Sequence, residues 1–379
     1  MKFFHLSDLH LGMRVGELSM LDDQRHILME IASLARESKP DAVLIAGDIY
    51  DKSIPSVDAV QLLDRFLVWL NELGIAVYLI SGNHDSVERV AFAASLLQKS
   101  NVHISQVYSG KITPLPFQDE FGQVNIWMLP YLKPSSVRPL FRDGEIATHS
   151  DALSAALGNI EVDASSRNIL LSHQFVTGAL TSESEELFVG GSENVDASLF
   201  DAFDYVALGH LHRPQHIGRE TLRYCGTPLK YSLSEAGHAK SVTVVEMGPK
   251  GDVGISEIPL TPRLEMREIR GIYAEITSRK NYRDTNTDDY VYITLTDEED
   301  EPDAAIKLRN IYPNMIRLRY DNKRTQSGFS IFSITSAPNW DKQSPVELLG
   351  KFFELQNGQP MSKTQEDYAR ELFAKIQEA

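Results

Sequence analysis

The sequence predicts an α/β fold, and three observations predict it. Short aliphatic runs alternate with stretches whose apolar residues recur at three- and four-residue spacing, the strand and helix periods respectively. Each of five polar motifs begins where an apolar run ends, as ligand-binding loops do at the carboxyl ends of strands in α/β sheets. The 379 residues are 42% hydrophobic and 24% charged, which suits a soluble globular chain of two or three domains and excludes a disordered or fibrous one.

In chain order, strands are expected at Lys2–Leu6, Ala42–Ala46, Ala76–Ile80, Val124–Leu129, Ile169–Leu171, Tyr205–Leu208 and Ser241–Glu246. Helices are expected at Gln24–Arg36, Val57–Leu73 and Val87–Gln98, where the apolar spacing is three and four. Pro259 and Pro262, in a mixed-charge segment, mark a linker after a first domain of residues 1–260. A small α+β domain over 264–340 follows, with strands at Glu265–Thr277, Val291–Thr296 and Asn314–Tyr320 and a short helix at Ala304–Ile311. Residues 344–379 form two helices around the break Gly358-Gln359-Pro360. Val346, Leu349, Phe352 and Phe353 set the first, with Ser344 as cap and Pro345 in the first turn; Tyr368, Leu372, Phe373 and Ile376 set the second.

No apolar run approaches the roughly 20 residues that span a bilayer, and the start lacks the extended apolar region of a signal peptide, so a cytoplasmic protein without a membrane partner is expected. The single cysteine, Cys225, excludes an intramolecular disulfide, fits a reducing compartment and reads as a small buried residue. A formal net charge of −16 argues against a nucleic-acid partner only weakly, because a site that holds divalent cations needs acidic ligands and the cations then supply the positive charge.

The chemistry sits in the five motifs. FFHLSDLH places Asp8 and His10 past the first strand, DAVLIAGDIYD places Asp48 and Asp51 past the second, and AVYLISGNHD places Asn83, His84 and Asp85 past the third. ILLSH places His173, and YVALGHLH places His210 and His212, past later strands. Carboxylates, imidazoles and one amide oxygen make a donor set for manganese, iron or zinc, without the thiolates of a structural zinc site. In D-x-H and H-x-H, alternate residues of an extended chain face one side. Gly47, Gly82 and Gly209 each precede a ligand, where the chain turns and approaches closely. A lone D-x-H or G-D-x-x-D is more often a surface turn than a metal site, a lone G-N-H-D reads as a hydrogen-bonded loop, and a lone H-x-H as one buried and one exposed histidine; five in order, each at a strand end, do not read that way.

The ordered set D-x-H, G-D-x-x-D, G-N-H-D, S-H and G-H-x-H resembles the calcineurin-like metallophosphoesterase superfamily, and within it the nuclease subunits that work with an SbcC-like ATPase. The resemblance extends through SEELFVGGSENVDASLFDAFDYVALGHLH, YCGTPLKYSLSEAGHAKSV and SPVELLGKFFELQNGQPMS, nearly the whole chain. It implies a four-layer metallophosphoesterase sandwich with a small α+β capping domain and a C-terminal helical tail. It implies two divalent metal ions of the Mn²⁺ type, one held by Asp8, His10, Asp48 and His212 and the other by Asp48, Asn83, His173 and His210, with Asp48 bridging. His84 is then the residue to meet the scissile phosphate and protonate the leaving oxygen, with Asp85 as its orienting partner, and Asp51 supports the site by hydrogen bonding. DNA is the implied substrate, cut as an exonuclease and endonuclease in repair, replication and recombination. The implied partners are a second copy of the chain, through helices in Val57–Leu73 and Val87–Gln98, and the coiled-coil base of the ATPase, through the C-terminal helices, in a heterotetramer.

A phosphatase or small-molecule phosphodiesterase shares this chemistry, and a catalytically silent scaffold is opposed by the complete ligand set. His5 and His26 read as packing or surface residues, and the acidic run Asp297 to Glu301 as a solvated loop. Arg317, Arg319, Lys323 and Arg324 form either a DNA-phosphate contact or an ordinary solvated strand and turn.

Overall fold

The computed structural model describes residues 1–141, 145–185, 193–326, 344–357 and 360–377, in two compact units that divide between Met266 and Arg267. The first unit is built on two six-stranded sheets. One runs in the order Val253–Pro259, Ser241–Met247, Lys2–Leu6, Ala42–Ala46, Ala76–Ile80, Val102–Ile104, and the last four strands are parallel. The other runs Gln215–Ile217, Arg219–Tyr224, Tyr205–Gly209, Arg167–His173, Gly122–Met128, Leu115–Asp119, with its middle four parallel.

The central strands are apolar on both faces because both faces are covered, as parallel sheets require. Phe3, Leu44, Tyr78 and Ile80 of one sheet pack against Ile126, Ile169, Leu171, Tyr205 and Ala207 of the other. The alternate residues Trp127, Leu170, Val206 and Leu208 point outward, where Ala152, Leu153 and Ala156 of the helix His149–Gly158 cover them. Helices Leu21–Ser38 and Val57–Glu72 bury Ile27, Leu28, Ile31 and Ala35, and Leu62, Leu63, Phe66 and Leu70. The unit is thus a helix, sheet, sheet, helix sandwich, the four layers expected. Its strands end together, so the loops after Leu6, Ala46, Ile80, His173 and Gly209 meet along one rim.

Two segments differ from expectation. The helix expected over Val87–Gln98 is two four-residue turns, Val87–Val90 and Ala94–Leu97, because Ala93 adopts a left-handed φ of 60° that interrupts the hydrogen-bond ladder. Pro259 is the last residue of an edge strand rather than part of a linker, a place where its missing N–H costs no ladder bond.

The second unit holds, from Arg267 onward, a three-stranded sheet of Met266–Gly271, Tyr290–Leu295 and Met315–Tyr320 around Val291, Ile293, Leu295, Leu308 and Tyr312. The strand expected to reach Thr277 stops at Gly271. Tyr273–Ile276 is helical, with the Tyr273 N–H donating to Asp297 Oδ2 at 2.7 Å, so Asp297 ties down the start of the acidic run while Glu298, Glu299 and Asp300 are solvated. Arg317 and Arg319 are exposed on one face of the edge strand, and Lys323 is exposed; the Arg324 side chain lies outside the described residues. The tail helices are Pro345–Asn357 and Lys363–Gln377. Ser344 and Glu347 exchange side-chain to backbone hydrogen bonds of 2.8 and 3.2 Å, and Ser362 and Gln365 do the same at 2.9 and 3.3 Å, so each helix starts in a capping box.

Candidate metal centre

The first loop is registered on the second by main-chain bonds: Asp8 N to Gly47 O at 3.0 Å, His10 N to Asp48 O at 3.0 Å, and Leu11 N to Ile49 O at 2.9 Å. Asp8, His10 and Asp48 have φ of 52°, 44° and 48°, and His210 has 107°. Non-glycine residues there cost of order 1–3 kcal/mol each and persist only where the surroundings enforce them. The extended D-x-H segment expected from spacing is therefore replaced by consecutive left-handed bends, which still turn both side chains into the site. Leu9 and Leu11, between and after them, are buried.

Close approach explains all three motif glycines, since a Cβ on Gly47 would overlap the His173 ring. A Cβ on Gly82 would overlap Asp48 Oδ1, and one on Gly209 would overlap the Ala46 carbonyl and crowd the His173 ring. Gly47, at φ 91°, adds the positive-φ turn beneath His173.

The seven expected ligands converge. Asn83 Oδ1 lies 2.9 Å from His173 Nε2 and 3.0 Å from His210 Nδ1, and His173 Nε2 lies 3.3 Å from Asp48 Oδ2. His10 Nε2 is 3.1 Å from His212 Nε2 and 3.8 Å from Asp48 Oδ2. Three overlapping groups, Asp8 with His10 and His212, His10 with Asp48 and His84, and Asp8 with Asp48 and His173, bring donor atoms within 4.8 Å of one another. Asp8, His10 and Asp48 each belong to two of them. His173 donates from Nδ1 to the Ala46 carbonyl at 2.8 Å, which leaves Nε2 as the inward atom.

Electrostatically the site is a buried acid and imidazole cluster. Burial pushes the Asp8 carboxyl up and His10 and His210 down, His210 to about 3. Burial opposes charge at Asp48 and His173 too, but each outweighs it for the other: His173, His10 and His84 hold Asp48 well below the usual carboxylate range, and Asp48 and Asp8 hold His173 up at about 9. His210 Nε2 is buried with no hydrogen-bond partner. Two buried carboxylates and four buried imidazoles, with His210 Nδ1 and His173 Nε2 both turned to the amide oxygen of Asn83, are a donor set that fits a divalent cation.

His84 approaches from the rim. Its N–H donates to Asp48 Oδ1 at 2.9 Å, its Nδ1 donates to the Asp51 backbone carbonyl at 3.0 Å, and its Nε2 stands 3.9 Å from Asp48 Oδ2. The orienting partner of His84 is therefore Asp51 through its main chain, which corrects the role expected of Asp85. The Asp85 carboxylate instead accepts three backbone N–H groups, Ile49 and Tyr50 at 3.0 Å and Gly82 at 2.9 Å, and so clamps the second loop to the third. Burial, then Asp48, pushes its carboxyl up to about 6.

Sequence reasoning missed the support behind the ligands. Gln24 Nε2 donates to the His10 carbonyl at 2.7 Å, and Tyr231 donates to the Leu9 carbonyl at 2.7 Å, which pins the first loop. Glu185 accepts the His212 N–H at 2.7 Å, and Glu235 and Lys240 lie buried behind His212. Burial opposes charge on both, but His212 and Lys240 together keep the Glu235 carboxyl well below its ordinary value, while Glu235 raises His212. Of the residues set aside, His5 is buried against Tyr205 at 2.9 Å, His26 is exposed, and Cys225 is buried with its thiol pushed up.

Residues 1–214 match the family model described as calcineurin-like phosphoesterase. The chain belongs to that family. Residues 262–357 match a second model, the type 5 capsule protein repressor C-terminal domain. The chain is also 32% identical over 380 residues to the SbcD subunit of the SbcCD nuclease of Staphylococcus epidermidis, covering 99% of each chain. A dimetal phosphatase from Danio rerio is similar over 69% of this chain and 98% of its own, at 12% identity and a TM-score of 0.43, a likeness too slight to add to the sequence relation. Membership makes this chain a phosphodiester hydrolase of the calcineurin-like fold. No helix among the described residues is long and apolar enough to cross a membrane.

Proposed function

We propose that this protein is a metal-dependent DNA nuclease that cuts phosphodiester bonds at DNA ends and hairpins in repair, replication and recombination, in the cytoplasm, as the nuclease subunit of an SbcC-like ATPase. The observation that carries the reading is the meeting of seven donor side chains from five strand-end loops around Asp48. Asp8, His10, Asp48 and His212 would hold one divalent ion, and Asp48, Asn83, His173 and His210 the other, with Mn²⁺ suited to their oxygen and nitrogen donors. When bound, such a pair polarises a phosphate and makes a water nucleophilic at neutral pH. The chain's own residues do the rest. Asp48, shared by the two ligand sets, would offset the repulsion between two bound cations. His84, fixed by Asp51, presents Nε2 at the rim of the cluster, where it meets a phosphate and gives a proton to the leaving sugar oxygen.

Substrate and partners rest on the near full-length relation to the SbcD subunit of an SbcCD nuclease. In this reading the second unit guides DNA, with Arg317 and Arg319 on its exposed edge strand, a second copy of the chain completes a dimer, and the tail helices bind the ATPase. The test is turnover by purified protein with Mn²⁺ on end-labelled duplex and hairpin DNA and on a small phosphate diester. Manganese-dependent DNA cleavage supports the nuclease; hydrolysis of the small ester with intact DNA assigns the site to a phosphatase or small-molecule phosphodiesterase; no turnover on either leaves a scaffold.

A further inference from the structure

We propose that Glu235, paired with Lys240, is a positioning residue that fixes the tautomer of His212 and thereby the affinity of one of the two metal positions; this rests on the ligand assignment above. His212 Nδ1 faces two groups, Ser184 Oγ at 2.8 Å and Glu235 Oε1 at 3.4 Å. Ser184 has one hydroxyl proton, and it lies on the 2.5 Å contact to Glu235 Oε1. The hydroxyl can then only accept from the imidazole, as the carboxylate can. Whichever of them takes the bond, Nδ1 carries the proton and Nε2 is left with its lone pair facing Asp8 and His10.

The carboxylate is held for this task. Its Oε2 receives Lys240 Nζ at 2.6 Å and Thr227 Oγ1 at 3.2 Å, and its Oε1 also receives the Tyr231 N–H and Ser232 Oγ, each at 3.2 Å. Lys240 Nζ donates as well to the His212 carbonyl at 2.9 Å, so the pair fixes the ligand's main chain together with its ring. Both members are buried, Glu235 wholly and Lys240 to 5% exposure, which screens the pair from competing water. Outer partners of this kind orient an imidazole ligand and raise its basicity, and losing one costs about 10–100-fold in metal affinity.

Glu235→Gln alone would leave the Lys240 ammonium buried and unpaired, so the test uses Glu235→Gln with Lys240→Met, which removes both charges. Mn²⁺ titrations by calorimetry and by electron paramagnetic resonance, with thermal unfolding alongside, compare this variant with the wild type. The expected result is a wild-type melting temperature to within a few degrees, one Mn²⁺ step unchanged and the other weakened about 10–100-fold. Two unchanged steps, or two steps weakened alike, would overturn the role. Should the double variant not fold, ¹⁵N-histidine spectra of the Zn²⁺-loaded wild type decide: a proton on Nδ1 of His212 supports the proposal and one on Nε2 overturns it. A wild-type protein that takes up no metal would instead refute the ligand assignment itself.

Discussion

His84 Nδ1 donates to the backbone carbonyl of Asp51 at 3.0 Å, and this single bond points His84 Nε2 at the cluster, 3.9 Å from Asp48 Oδ2. A main-chain acceptor fixes the ring without adding charge beside it. Removing the imidazole takes nothing from the seven assigned ligands, so His84→Ala should keep both metals and lose about 10²–10⁴-fold in cleavage rate, the usual worth of a positioned acid. Asp48→Ala should lose metal as well. Metal content of dialysed protein and the rate on end-labelled DNA check both, and near-normal cleavage by the His84 variant would remove it from the mechanism.

Asp85 supports the same loops differently. Its carboxylate satisfies the buried N–H groups of Ile49, Tyr50 and Gly82. Asp85→Ala orphans all three, at about 1–3 kcal/mol for each buried donor left unmet. It should therefore lower unfolding stability by more than about 2 kcal/mol, with Asp85→Asn, which keeps one acceptor oxygen, in between. Urea unfolding of the metal-free variants measures this. Wild-type stability combined with lost activity would restore the orienting role for His84 that the geometry argues against.

How far the sequence could be read follows from the same residues. The central strands were legible because burial on both faces leaves them wholly apolar, as in Ala42–Ala46 and Ala76–Ile80, and the ligands because each sits where such a run ends. Edge strands were not: Leu115–Asp119 carries a proline and alternates half-buried with exposed positions, a weak version of the strand period. The Asp85 clamp was hidden because its three partners are backbone groups, which have no sequence signature. Glu235 and Lys240 lie 23 and 28 residues beyond His212, and only the folded chain puts them behind it. The break at Ala93 was hidden because alanine favours helix, and tertiary context overrode that preference.

The dimer expected through Val57–Leu73 and Val87–Gln98 is tested on the apolar residues that those segments leave exposed. Leu62, Leu63, Phe66, Leu70 and Val90 are buried in the unit's own core. The apolar surplus lies instead on Val57, Val60 and Val68 and on Phe92 and Leu96, at 71%, 44%, 46%, 80% and 69% exposure. If these side chains form one contiguous patch, that patch is where a second copy would dock. Phe92→Asp with Leu96→Asp should shift the protein from dimer to monomer at micromolar concentration in light scattering, with its melting temperature kept. A wild type that is monomeric across that range would count against the interface.

The tail helices offer the last test. Each is capped locally, at Ser344 and Ser362, so their ends are set by the chain itself. Yet helices of this length are marginal alone in water, and their stability has to come from packing. They pack on each other and leave Phe352, Tyr368 and Leu372 at 40%, 67% and 44% exposure. Apolar side chains left over on a helix pair suit reception by a partner's helices, the helix-in-groove mode. The chain contains no G-x-x-x-x-G-K-[ST] phosphate loop, so ATP dependence would have to come from the partner. Truncation after Asn339, a position outside the described residues, should abolish co-purification with the SbcC-like ATPase and spare Mn²⁺-dependent cleavage of simple DNA ends. Because the cut removes part of the second compact unit, Tyr368→Asp with Leu372→Asp in the full chain provides the companion. Both changes fall on exposed positions, so the fold should hold while affinity for the ATPase falls at least tenfold, about 1.4 kcal/mol. Full affinity in the double variant and in the truncated chain would move the ATPase-binding surface elsewhere on the protein.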